Sequence, residues 1–89
     1  MKQIVIDGES ILTRLDLHKT LREGLQFPEW YGNNLDALHD VLTDCNEETY
    51  IKIRNHALLE EHLSDYAVYF LRVLHDCAEE NQYLHIDLL

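Results

Sequence analysis

With 89 residues, 46% hydrophobic and 27% charged, the chain has the length of one domain and too much apolar content for a disordered segment. Seventeen Asp and Glu against seven Lys and Arg leave a formal charge of −10. That charge argues against direct nucleic-acid binding and for a basic protein partner drawn in by electrostatic steering. No apolar run approaches the roughly 18 residues of a membrane span, and the first residues lack the apolar stretch of a secretory signal. The expectation is one cytosolic domain over 1–89 without membrane contact.

Gln3-Ile4-Val5-Ile6 is a β-branched run ended by Asp7-Gly8 and reads as a first strand. Thr13 with Asp16 three positions on forms a capping box. Leu17, Leu21 and Leu25 then keep helical spacing until Phe27-Pro28. Trp30-Tyr31-Gly32-Asn33-Asn34 is a turn cluster ending in two candidate helix caps. Leu35, Leu38, Val41, Leu42 and Cys45 follow on one helical face. Thr49 to Arg54 alternates as a strand, His56 to Leu63 reads as a short helix, and Ser64 opens a long one with Tyr66 or Ala67, Phe70, Leu74, Cys77 and Ala78 inward. Asn81 is the predicted stop, and Tyr83 to Leu88 the last strand. Every strand is separated from the next by helices, as parallel pairing requires. The fold class is α/β: a three-stranded parallel sheet with about four packed helices.

The acids are not evenly spread. Residues 23–51 hold no Lys or Arg and seven acids: Glu23, Glu29, Asp36, Asp40, Asp44, Glu47 and Glu48. Asp36, Asp40 and Asp44 recur at i, i+4 and i+8, an arc of about 80° on the second predicted helix. Like charges at that spacing destabilise a helix by a few tenths of a kcal/mol per pair, and Asp44 faces the unfavourable end of the helix dipole. A solvated face needs no such alignment. Beside Trp30 and Tyr31 it makes a better protein-binding surface.

Chemistry finds little support. Asp36 and His39 share a helix face at i, i+3, but no His-Glu-x-x-His pattern accompanies them. The other histidines are scattered along the chain. Cys45 and Cys77 are too far apart for a redox pair and read as free thiols. No nucleophile elbow and no phosphate-cradling loop appears. The expectation is a protein that is not an enzyme and has no cofactor or metal.

The stretch Trp30-Tyr31-Gly32-Asn33-Asn34-Leu35-Asp36-Ala37-Leu38-His39-Asp40-Val41-Leu42-Thr43 closely resembles the central motif of the barstar family of ribonuclease inhibitors. Leu17-His18-Lys19-Thr20-Leu21 and Phe27-Pro28-Glu29 extend the likeness, as does the order of elements. The resemblance implies an inhibitor, monomeric when free, that inserts its second helix and the preceding loop into the active site of a small basic extracellular-type ribonuclease or toxin nuclease domain. By position it implies partner contacts at Trp30, Gly32, Asn34, Leu35, Asp36, His39, Asp40, Thr43 and Asp44, with Asp76 on the last helix. His39, Asp44 and Cys45 stand where the family has tryptophan, glycine and tryptophan, which implies a partner surface different from that of barnase. An immunity or regulatory module for another toxin, using the same acidic face, is the alternative.

Overall fold

Alternation decides the sheet. In the computed structural model, which describes residues 1–89, β1 (Lys2–Asp7), β2 (Thr49–Arg54) and β3 (Leu84–Leu88) pair in parallel in the order β1-β2-β3. Ile4 lies opposite Ile51, which in turn lies opposite Ile86; Ile6 lies opposite Ile53. Ile4, Ile6, Ile51, Ile53 and Leu84 are buried on one face, while Gln3, Val5, His85 and Asp87 on the other are exposed. Parallel sheets are usually covered on both sides. Here the helices cover one side only, and the open face carries a polar row instead: Tyr50 stacks on its cross-strand neighbour His85 with ring centroids 4.6 Å apart, and His85 bonds Glu48 at 2.5 Å.

The first crossover carries α1 (Arg14–Leu25) and α2 (Leu35–Thr43); the second carries α3 (His56–Leu63) and α4 (Asp65–Glu80). Thr13 and Asp16 form the expected capping box, each side chain accepting from the other's backbone N–H. Leu17, Leu21 and Leu25 of α1 meet Leu38 and Leu42 of α2 and Ala67, Phe70, Leu74 and Cys77 of α4 in one apolar core. No helix is long and apolar enough to cross a membrane.

The elements differ from the sequence reading in a few details. Helix α2 closes at Thr43, with Asp44 as its C-cap, so Cys45 leaves the helical face on which the spacing placed it. Ser64 does join α3 to α4, but with φ 55° and no side-chain capping bond. The last strand begins one residue later, at Leu84. Gly8 has a steric reason: a Cβ there would lie 2.2 Å from the carbonyl oxygen of Asn55 and 2.7 Å from the backbone nitrogen of Leu59. Only hydrogen fits where the end of β1 meets α3.

Candidate functional site

The loop before α2 is built around a buried tyrosine. Gln26, in the left-handed conformation (φ 56°), ends α1, and the Tyr31 N–H donates to the Pro28 carbonyl at 3.0 Å to close a turn. Tyr31 turns inward, 3% exposed, and packs on Phe27 with centroids 4.9 Å apart. Its hydroxyl meets Nδ1 of fully buried His18 at 2.6 Å, and Nε2 of the same ring meets the Tyr66 hydroxyl at 2.6 Å. A neutral imidazole has one N–H, so it donates to one tyrosine and accepts from the other. Burial pushes the His18 pKa below its ordinary value, and it pushes both tyrosine hydroxyls up. With Tyr31 held inward, its neighbour Trp30 is left 70% exposed.

The start of α2 is fixed by Asn34, whose side-chain oxygen accepts from the Ala37 N–H at 2.8 Å while its Nδ2 donates to the Gly32 carbonyl at 3.2 Å. The other end is held from outside. Asn81, 7% exposed, donates from Nδ2 to the carbonyls of Leu42 and Cys45, both at 2.9 Å, and reaches the Cys45 sulfur at 3.1 Å. Its Oδ1 accepts from the Tyr83 N–H at 2.9 Å. Carbonyls that a helix end leaves without partners are thereby satisfied across the α2–α4 contact.

Between these anchors Leu38 and Leu42 are buried, and Asp36, Asp40 and Asp44 are exposed. Helix α4 adds to the acidic surface. His39 Nε2 lies 3.5 Å from a Glu80 oxygen and its Nδ1 3.9 Å from Asp40; in protonated form the ring joins these two carboxylates. Exposed Asp76 stands one turn before Glu80 along the same helix. Glu80 was not singled out from the sequence, although its spacing from Asp76 was the available signal. Leu35 is half-buried against the core. Thr43 directs its hydroxyl to the carbonyls of His39 and Asp40, at 2.8 and 3.3 Å. The structure thus gathers Asp36, His39 and Asp40 on α2 and Asp44 at its C-cap, with Trp30 lining the same cleft as Asp44. It gives Asn34 and Thr43 internal bonds as well as positions at the surface. No group of three or more His, Cys, Asp or Glu side chains is arranged to hold a metal ion.

The sequence matches the family model described as "Barstar (barnase inhibitor)" over residues 1–88. The chain belongs to the barstar family. Among curated proteins it is similar to the "Putative ribonuclease inhibitor YrdF" of Bacillus subtilis (strain 168), 36% identical over 81 residues that span 90% of this chain and 89% of that one. The three parallel strands and four helices agree with the barstar-like α/β fold expected from the motif.

Proposed function

We propose that this protein inhibits a small basic ribonuclease by covering its active site with α2 and the loop that carries Trp30. Family membership and the resemblance to a ribonuclease inhibitor support the class of function. The observation that carries the mechanism is Asp40: mid-helix, its side chain 80% exposed, flanked one turn away on either side by Asp36 and Asp44.

A site that cleaves RNA holds cationic donors preorganised for a phosphate. A short, stiff aspartate on a helix offers two acceptor oxygens at the same place and takes charge-assisted hydrogen bonds from those donors. Trp30 supplies a flat ring where a base would stack. Inhibition is then competitive and steric; the inhibitor performs no chemistry. The net charge of −10 adds long-range attraction that speeds encounter.

The test is an inhibition assay against barnase and the small basic secreted ribonucleases of the native host, with wild type and Asp40→Ala. At least one ribonuclease should be inhibited, and Asp40→Ala should weaken that binding by about 2–5 kcal/mol, the usual cost of stranding one member of a buried charge pair. The loss should appear mainly as faster dissociation. Tight binding by the wild type to a protein without nuclease activity, and to none of these enzymes, would instead favour an immunity or regulatory module. Equal inhibition by Asp40→Ala would remove the phosphate-mimic mechanism.

A further inference from the structure

At the C-terminal end of α2 the surface opens into a cleft of about 170 Å³. Phe27 and Trp30 line it from the loop, Val41 and Cys45 from α2 and the residues after it, and Lys2 and Asp44 are the charged residues of its lining. We propose that this cleft receives one apolar side chain of the ribonuclease, set next to a basic residue that pairs with Asp44. The inference rests on the ribonuclease reading above and specifies the partner's surface.

Four observations carry it. First, the cleft is continuous with the proposed interface, because Trp30 and Asp44 belong to both. Second, its size suits one side chain: an apolar cavity of about 150 Å³ holds a benzene ring. Third, its two charged lining residues are unequal. The Lys2 ammonium already lies 3.7 Å from Glu47, whereas Asp44 takes part in none of the chain's ion pairs and stands exposed at the end of the acidic row. That leaves an anion for an incoming cation. Fourth, the cleft is preformed, since Asn81 holds both the carbonyl and the sulfur of Cys45. A rigid pocket loses little freedom when filled. An apolar anchor in such a pocket, ringed by polar contacts, is the arrangement that concentrates binding energy at interfaces.

Indole serves as the probe of the cleft, and the ribonuclease inhibited most tightly in the assay above serves as the partner. In nitrogen-15 NMR spectra, indole should produce saturable shifts at the Trp30, Val41 and Cys45 amides. Saturating ribonuclease should abolish indole binding. Cys45→Phe, which fills the cleft from within, should raise the inhibition constant about tenfold or more, while Val5→Phe, which adds a ring on the open face of the sheet away from the cleft, should change it less than about threefold. Thermal unfolding would confirm that both variants are folded, and the indole measurements use the wild type alone, so a poorly folded Cys45→Phe would not stall the test. No saturable shifts with indole, or undiminished indole binding in the complex, would overturn the proposal. So would wild-type inhibition by folded Cys45→Phe; if Asp40→Ala then still lost inhibition, the ribonuclease reading would stand without the cleft. If Asp40→Ala inhibited normally, the acidic-face mechanism itself would fail.

Discussion

His18 on α1 holds the hydroxyl of Tyr31 at 2.6 Å inside the core, so a buried imidazole secures the residue next to the exposed Trp30. The ring faces the Tyr31 and Tyr66 hydroxyls, and the cation near them is the Arg14 guanidinium, 4.3 Å from the Tyr66 ring centre. Protonation would bury a positive charge with no anion against it. Burial lowers the folded-state pKa of His18, so the unfolded chain takes up the proton first. The stability His18 contributes is present above about pH 6.5 and is lost as pH falls below that toward the folded-state value. Urea midpoints between pH 8 and pH 5 should therefore fall more steeply for wild type than for His18→Gln. Parallel curves would show that His18 does not govern the acid response.

Trp30 and Tyr31 should separate binding from stability. Trp30→Ala removes an exposed ring and should change stability by less than about 0.5 kcal/mol while weakening ribonuclease binding. Tyr31→Phe leaves one nitrogen of His18 without a partner and should cost about 1–3 kcal/mol of stability. Chemical denaturation of both variants, alongside inhibition by Trp30→Ala, checks the pair. A large stability loss for Trp30→Ala would contradict its placement.

Leu38 and Leu42 are 0% and 1% exposed. Either change to Ala should cost about 2–5 kcal/mol, the range for cavities that the surroundings only partly fill. Equilibrium urea unfolding measures it, and near-neutral values at both positions would mean that α2 does not pack as described.

Asn81→Leu removes a donor shared by two carbonyls beyond the reach of the helix ladder. It should cost about 1–3 kcal/mol. Hydrogen exchange should quicken in the last turn of α2, ahead of any change in its first turn, which Asn34 caps separately. Uniform loss of protection would assign Asn81 to general core packing instead.

The two cysteines are free and should respond unequally to a thiol reagent. Cys77 is buried, and burial, with the nearby carboxylates of Glu80 and Asp76 after it, pushes its pKa up to about 11. Reactivity follows the thiolate, so Cys45 on the cleft should react in the native protein and Cys77 only on unfolding. Reaction of both at similar native rates would contradict this burial.

Local patterns exposed much of this fold. The Thr13–Asp16 box, the alternation of Thr49 to Arg54 and the inward stripe of α4 each act over a few residues, so spacing alone reveals them. The acidic row is legible for Asp36 and Asp40, which a helix turns to one side at i and i+4, whereas Asp44 falls on the C-cap just past the end of α2. What spacing could not reveal depends on distant partners. Asn81 read as a helix stop, yet its amide shapes the end of α2, and nothing near it in sequence announces that contact. Trp30 and Tyr31 read as one aromatic pair; their opposite orientations are set by His18, which spacing gave no reason to place beneath the loop. Helical spacing places Cys45 on α2, which ends before it because the carbonyls of Leu42 and Cys45 turn to Asn81.

The one-sided parallel sheet also bears on how quickly the protein folds. Lys2 finds Thr49, and Thr49 finds Leu84, only after a pair of helices has been laid down between them. No hairpin seeds the sheet, and each ladder closes a long loop before its contacts repay the lost chain entropy. Folding should therefore be slower than in a helical bundle of the same length. The acidic helix and its Trp30 loop lie inside the first of these loops, but Tyr66 and Asn81, which fix that loop and the end of α2, lie inside the second, so a newly made chain should order this acidic face only once α4 has packed against it.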